Sequence, residues 1–198
     1  MSTVRNRPGS SLACVAIVLS LAGCGSDRPA VETAAATSSS STPSPEPTYD
    51  KAYAFSEAKK IEVKRDKADV WVLPKDTPWA TTRYITDYNK EAQAQKKAGV
   101  TEKGKVSNQV FHLDKLDRKA KGGWRLSIYE CSTSSVRYYK GDEDVTVYPW
   151  DTSKPMPKGP RANVHRIRYV STDEGKTWQV DVSMLVYGDE VKETPCAK

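Results

Sequence analysis

WRLSIYEC, residues 124–131, alternates apolar and polar side chains, with Trp124, Leu126 and Ile128 at its apolar positions. Successive side chains of a β-strand point to opposite faces of the sheet, so Trp124, Leu126 and Ile128 would share one face. The segment therefore predicts a strand with one face on the hydrophobic core.

The same period of two recurs on both sides of this segment. It predicts further strands at Val106–Leu113, Ser135–Tyr139, Val145–Trp150, Val164–Val170 and Trp178–Val186. Residues 172–176, between the last two, form a hairpin signal in which Gly175 takes the left-handed position of a bulged turn. Strict alternation in the last strand would place Trp178, Val180, Val182 and Met184 on one face.

Two helix patterns precede the strands. Apolar residues at helical spacing predict a first helix over Thr48–Arg65, with Thr48 as its cap. Asp76-Thr77-Pro78 predicts the start of a second helix, which runs to Ala98 and ends at Gly99. Helices followed by antiparallel strands indicate an α+β fold. We expect a curved antiparallel sheet of four to six strands around the N-terminal helices.

The N-terminal quarter has a different composition. Leu12–Leu21 is a ten-residue apolar run that follows Arg5 and Arg7, too short to cross a bilayer but typical of a secretory signal peptide. TSSSSTPSPEPT, residues 37–48, offers almost nothing to bury and predicts disorder. We therefore divide the chain into a signal peptide at 1–23, a tether at 24–48 and a folded domain at 49–198.

Leu21-Ala22-Gly23-Cys24 follows the apolar run directly. These four residues resemble the lipobox of bacterial lipoproteins. The resemblance implies that the chain is cut before Cys24 and that its thiol carries diacylglycerol. Two acyl chains anchor a protein stably where one is marginal. The expected location is the cell membrane, with the domain lipid-anchored and facing outside the cytoplasm. The alternative is a plain signal peptide with an incidental cysteine.

Cys131 and Cys196 are the two cysteines that remain beyond the apolar run and the lipobox. An even pair in an exported domain predicts one disulfide, and the alternative is two buried free thiols. A metal site is not expected, because these cysteines and the two histidines show no ligand spacing. No other cofactor is predicted.

Scattered features of the domain carry a second resemblance. They are the helix ending at Ala98-Gly99, the strand ending at Cys131, the Asp173-x-Gly175 turn, Trp178 and Cys196. The region 49–198 resembles small secreted actinobacterial lipoproteins with a nuclear-transport-factor-two-like, or cystatin-like, cone fold. Members often carry an acid two residues after the first cysteine. Thr133 stands there in this chain, so any role of that acid is absent.

The two histidines, His112 and His165, are candidate bases. Some enzymes of the cone fold transfer protons with a histidine and an aspartate, and Asp114 and Asp181 are the candidate partners. Alternation places His165 on the face of Ile167 and Tyr169, and His112 opposite Phe111 and Leu113. We favour the alternative of a histidine with a structural hydrogen bond. Ser132–Ser135 lacks the Gly-x-Ser-x-Gly elbow of a nucleophile and is predicted to be a polar turn.

The aromatic residues allow two interpretations. Trp71, Trp79, Trp124 and Tyr129 are candidates to line a pocket for an apolar or sugar ligand. The alternative, which we favour, is that they build the core, as aromatic side chains commonly do.

Charge narrows the choice of partners. The chain carries 31 Lys and Arg against 25 Asp and Glu, a formal net charge of +6, but acids are interspersed throughout. No arginine run alternates with aromatics, so nucleic acid is not predicted as a partner. We predict an extracytoplasmic lipoprotein whose domain is a non-catalytic module that binds a ligand or a protein of the cell envelope. The alternatives are an isomerase- or dehydratase-type enzyme with a histidine base, and an accessory subunit of an envelope complex.

Overall fold

The computed structural model describes residues 48–68 and 72–197. The predicted signal peptide, the lipobox residues Leu21, Ala22, Gly23 and Cys24, all of the tether but Thr48, and Trp71 lie outside the described residues. No described helix is both long enough and apolar enough to cross a bilayer.

Helix α1, Lys51–Lys67, begins at an aspartate cap. The Asp50 side chain accepts a hydrogen bond from Tyr53 N at 2.8 Å, which satisfies one of the free N–H groups of the first turn. The cap is therefore Asp50, two residues after the predicted Thr48. Ala54, Ala58 and Ile61 form the buried apolar stripe of the helix, and Ala58 and Ile61 belong to the predicted apolar pattern.

Helix α2, Thr82–Lys97, begins later than predicted. Its cap is Thr81, whose Oγ1 accepts a hydrogen bond from Tyr84 N at 3.1 Å. The predicted start at residues 76–78 is a turn instead, in which Thr77 Oγ1 donates to Pro74 O at 2.7 Å. The next residues bridge to the sheet, because Val180 N donates to Trp79 O at 2.9 Å. This pairing keeps the segment extended, so the helix begins only at Thr82.

Nine strands follow in the described chain: β1 Val100–Lys103, β2 Val106–Asp117, β3 Trp124–Ser134, β4 Arg137–Lys140, β5 Glu143–Asp144, β6 Val147–Tyr148, β7 Asp151–Pro155, β8 Arg161–Ser171 and β9 Gln179–Val186. The main sheet is antiparallel with the order β2-β3-β8-β9. Two small sheets, β1-β4-β5 and β6-β7, flank it, and two short 3₁₀ helices, Gly188–Glu193 and Pro195–Ala197, end the described chain. The predicted α+β fold is confirmed, and the curved antiparallel main sheet has four strands, within the predicted four to six.

One face of the main sheet, which we call the inner face, packs against the helices. Leu126 and Ile128 on β3 and Ile167 on β8 are at most 1% exposed, and Ala58, Ile61 and Ile85 of the helices complete the same core cluster. The strand predicted from residues 124–131 thus supplies the centre of the core. It also continues to Ser134, so the predicted polar turn at Ser132–Ser135 is wrong at its first three residues.

A β-bulge in β9 breaks the predicted alternation. Tyr169 pairs with Val180 but the adjacent Arg168 pairs with Val182, so Asp181 is an extra residue. Such a bulge shifts every following residue by one position. Ser183, which pairs with Ile167, therefore lies on the inner face, and Met184 is 36% exposed instead of sharing the face of Val180.

Cys131 and Cys196 lie at disulfide distance. Their Cα atoms are 5.4 Å apart, within the usual range for a bridge. Cys131 is on β3 and Cys196 is in the last 3₁₀ helix. The pair that the sequence predicts is therefore brought together, and it ties the end of the chain to the middle of the main sheet.

Candidate functional site

A cavity of about 420 Å³ lies between the helices and the inner face of the sheet. Helix α1 contributes Arg65 and Asp66 to its lining, and α2 contributes Tyr84, Asp87, Tyr88 and Glu91. The other lining residues are Val106, Gln109, Glu130, Asn163, His165, Asp181, Val182 and Ser183. The cavity thus continues the core in space, with polar side chains in place of apolar ones.

Alternation of the strands places the polar residues there. Along β3 the inner face continues from Leu126 and Ile128 to Glu130, and along β8 it continues from Ile167 to His165. Glu130 and His165 are direct partners in the antiparallel register, so they lie side by side on that face. The same geometry that builds the core therefore also delivers an acid and a histidine to the cavity.

A buried charge network, formed by Glu62, Arg65 and Glu130, lies at the cavity wall, since Arg65 and Glu130 are lining residues. Arg65 Nη2 is 2.6 Å from Glu62 Oε2 and 2.9 Å from Glu130 Oε2. Glu62 Oε1 also accepts a hydrogen bond from Tyr169 OH at 2.5 Å, and Glu130 Oε1 accepts one from Gln109 Nε2 at 3.1 Å. Glu62 is 1% exposed and Glu130 is 4% exposed, so two carboxylates share one guanidinium away from water.

Burial dominates the titration of this network. It raises the pKa of the Glu62 carboxyl, against the lowering effects of Arg65 and of the Tyr169 hydroxyl. It also raises the pKa of Tyr169 well above the ordinary value, and the neighbouring Glu62 acts in the same direction. For both groups the largest cause is burial, which disfavours the charged form, and a neighbouring negative charge beside the single guanidinium adds to it.

His165 is held at the cavity wall by a serine. Its Nδ1 lies 3.2 Å from Ser183 Oγ, a hydrogen bond whose direction depends on the tautomer. Burial lowers the pKa of His165, and the nearby Glu130 opposes this shift without reversing it. The imidazole is therefore neutral at pH 7 and offers one donor and one acceptor.

The two predicted acid partners of the histidines have other contacts. Asp114 Oδ2 accepts hydrogen bonds from Arg166 Nε and Nη2 at 3.1 and 2.7 Å. Asp181 lines the cavity, but its Oδ1 accepts from Thr81 Oγ1 at 3.0 Å. His112 pairs with Tyr129 in the register of β2 and β3, and it is not among the residues that line the cavity.

The sequence-predicted aromatic residues that are described do not line this cavity. Trp79 and Trp124 pack against the core cluster, and the Arg118 guanidinium lies 4.8 Å from the Trp124 ring centroid. Tyr129 instead lies 5.7 Å from the guanidinium of Arg166. The aromatic wall of the cavity is formed by Tyr84 and Tyr88, whose rings are stacked at 6.2 Å between centroids.

Sequence reasoning missed Glu62, Arg65 and Glu130 as site residues, although each left a signal. Glu130 has the same parity as Trp124, Leu126 and Ile128, which places an acid on an otherwise apolar face. Glu62 and Arg65 follow Ala58 and Ile61 at helical spacing, so they extend the buried stripe of α1. An ionisable residue that continues the periodicity of an apolar stripe therefore indicates a buried charged group.

The described side chains include no group of three or more His, Cys, Asp or Glu placed to hold a metal ion. No family model and no curated protein matches the chain. Among solved structures, the crystal structure of the intermembrane space region of chloroplast protein ARC6 is similar at a TM-score of 0.37 and 12% identity. The match covers 71% of this chain and 89% of that one. A likeness this distant assigns no function.

Proposed function

We propose that the chain is a lipid-anchored protein of the cell envelope whose folded domain binds a small molecule in the cavity between the helices and the inner face. The observation that carries the proposal is the cavity itself, in which Arg65, His165 and Ser183 converge with a tyrosine wall. Its volume lies within the usual range for small-molecule sites. Membership of the cone-fold lipoproteins stays part of this proposal and rests on the sequence features given above.

The cavity is prepared for binding because its polar groups are already fixed. Glu130 is held from two sides, by Arg65 and by Gln109, and His165 is held by Ser183. Side chains that are locked before a ligand arrives lose little conformational entropy on binding. A cavity of this kind favours a specific polar ligand over a general apolar one.

Binding is tested by thermal unfolding of the mature protein against small amines, sugars and carboxylic acids. A ligand that binds only the folded state stabilises it by RT ln(1 + [L]/Kd), so Tm rises with ligand concentration. We expect at least one class to raise the Tm of the wild type but not of Ser183→Trp, in which an indole fills the cavity. Met184→Trp is the matched control, since the neighbouring residue pairs with Arg166 and is exposed. The proposal fails if no compound distinguishes the two variants.

The proposed lipid anchoring is based on the sequence Leu21-Ala22-Gly23-Cys24. In a bacterial host that processes lipoproteins, we expect the wild type in the membrane fraction, with a mass that includes diacylglycerol. Cys24→Ala should leave the lipid off and release the protein from that fraction. If the variant still carried the added mass of diacylglycerol and stayed in the membrane fraction, the proposed anchoring through Cys24 would be contradicted.

One observation favours a second function, proton transfer. His165 is neutral, faces the cavity and lies beside Glu130, as a general base requires. Its direct hydrogen bond is to a serine, however, and not to an acid. An enzyme of this kind would exchange carbon-bound hydrogen of a bound ligand with deuterium from D₂O, and His165→Gln would abolish the exchange. Binding without exchange in the wild type would leave the binding function alone.

A further inference from the structure

The cavity is acidic although the protein is basic. Asp66, Asp87, Glu91, Glu130 and Asp181 line it, whereas Arg65 is the one arginine or lysine among the described lining residues. Outside the lining, Arg83 lies 3.7 Å from Asp181 and 3.9 Å from Asp87, and Arg125 lies 3.6 Å from Asp181, so these two arginines offset part of the negative charge. The whole chain carries a formal net charge of +6, so this excess of carboxylates opposes the overall balance. A negative cavity in a positive protein attracts cations and repels anions.

Arg65 does not offset the acids around it. Its Nη2 is engaged by Glu62 at 2.6 Å and by Glu130 at 2.9 Å, so the guanidinium already faces two buried carboxylates. A guanidinium engaged by two carboxylates has no positive charge left to balance the other acids of the lining, and a positive group that enters the cavity would be attracted to those acids.

The wall of the cavity that α2 forms suits an organic cation. Asp87 and Glu91 are exposed and lie four residues apart on α2, so they project from one side of the helix. Tyr88 lies between them in sequence, and its ring is stacked on that of Tyr84. The faces of aromatic rings attract ammonium groups, and this attraction strengthens where water is excluded.

We infer that the cavity binds a small organic ammonium compound, held between the carboxylates of α2 and of the inner face and covered by Tyr88. This inference rests on the proposed function, because it names the class of ligand for the same cavity. The tyrosine wall and the lack of a three-ligand metal group in the described chain favour an amine over a metal ion. The engaged state of Arg65 disfavours an anion.

The test uses three probes of similar size and different charge. Butylammonium, butanol and butyrate are titrated into the mature protein at low salt, and binding is followed by NMR shifts of the backbone amides of residues 84–91 and 163–165. We expect saturable binding of butylammonium, no saturation with butyrate, and at least tenfold weaker binding of butanol. Raising the ionic strength should weaken butylammonium binding.

Substitutions on α2 test whether its carboxylates and the Tyr88 ring bind the ammonium group. Asp87→Asn combined with Glu91→Gln should weaken butylammonium binding about tenfold, since it removes two carboxylates at the cavity. The matched control is Asp142→Asn with Glu143→Gln, which changes the net charge equally at exposed residues outside the lining. Tyr88→Leu, which keeps an apolar side chain, should weaken binding about fivefold. Equal weakening in the control and cavity variants would overturn the inference.

The failures of the two proposals are distinguishable. If a sugar or a carboxylic acid saturates the cavity and butylammonium does not, the ammonium inference is overturned while the binding function stands. The same holds if Mg²⁺ or Ca²⁺ competes for the site more strongly than any amine. If no probe of any charge binds in a way that Ser183→Trp abolishes, the binding function fails as well.

Discussion

The inner face of the sheet has two ends that share strands and geometry but differ in chemistry. The apolar end consists of Leu126, Ile128, Ile167 and Tyr169, and the polar end consists of Glu130, Ser132, Asn163 and His165. Helix α1 repeats the change, with Ala58 and Ile61 over the first end and Arg65 over the second. Core and cavity are therefore one continuous surface, and the cavity begins where the residue types change.

The two ends make different contributions to stability. Burial of apolar side chains stabilises the fold by about 25 cal/mol per Å² of area removed from water. A buried ion pair gains little over apolar residues of the same shape, because desolvation offsets the attraction between the charges. A contribution to stability therefore does not account for the charged residues at the polar end, and this supports the proposal that they bind a ligand.

Removing Arg65 should have the largest effect. Arg65→Met leaves Glu62 and Glu130 buried without their counter-ion, and breaking such a pair costs about 4 kcal/mol of unfolding free energy. The measurement is urea denaturation at pH 7. Arg168→Met, at an exposed arginine of β8, is the matched control and should stay within about 0.5 kcal/mol of the wild type.

A triple variant sharpens this prediction. Adding Glu62→Gln and Glu130→Gln to Arg65→Met removes the uncompensated charges, so it should recover most of the lost free energy. The charge network has no energetic role if Arg65→Met and Arg168→Met cost the same.

Truncation at the apolar end should have the next largest effect. Ile128 is fully buried, and Ile128→Ala should lower the free energy of unfolding by about 3 kcal/mol through lost burial and the cavity left behind. The counterpart at the polar end, two residues beyond Glu130 on β3, is Ser132→Ala. It removes a hydrogen bond of 3.3 Å to Asn163 O and should cost about 1 kcal/mol. Equal costs would erase the distinction between the ends.

The sequence predicted the apolar end better than the polar end. Alternation in residues 124–131 and 164–170 placed Ile128, Ile167 and His165 on the inner face, because a strand fixes the facing of each residue locally. The contact between Arg65 and Glu130 spans 65 residues and depends on how α1 crosses the sheet. No local pattern determines that crossing.

The bulge at Asp181 shows a second limit. Nothing in the period of two marks the extra residue, yet it decides that Ser183 and not Met184 faces inward and meets His165. The helix caps show a third limit, since Thr48 and Asp50 are both residue types that cap helices, and so are Thr77 and Thr81. The choice between them is made by tertiary contacts such as the bridge from Ala80 to Val180.

Acid should weaken the polar end through His165. Burial lowers the folded-state pKa of His165 below the ordinary 6.5, so the unfolded chain binds this proton more readily. The stabilising contribution is present above pH 6.5 and is lost as pH falls through the folded-state pKa. His165→Gln lacks this titration. Between pH 7.5 and pH 5, the unfolding free energy of the wild type should therefore fall more than that of the variant.

This pH prediction has an explicit opposite outcome. Glu130 acts to raise the pKa of His165, whereas Arg65 acts with burial to lower it. If the effect of Glu130 dominated, the imidazolium would be stabilised in the folded state. On acidification, the unfolding free energy of the wild type would then rise relative to that of His165→Gln. The titration of His165 by NMR in the folded protein gives the same answer independently.

The smallest effect is expected at the hydrogen bond that orients His165. Ser183→Ala removes the partner of Nδ1 but leaves the imidazole beside the cavity, where water can replace the hydroxyl, so the unfolding free energy should fall by less than about 1 kcal/mol. The tautomer should respond more clearly than stability, because the serine is the one side chain bonded to Nδ1 within the described structure. Ser183→Thr keeps the hydroxyl and should keep the wild-type ratio of tautomers in the ¹⁵N spectrum. If Ala and Thr at this position give the same ratio, Ser183 does not orient the ring, and the bulge at Asp181 then matters for the shape of the cavity and not for its chemistry.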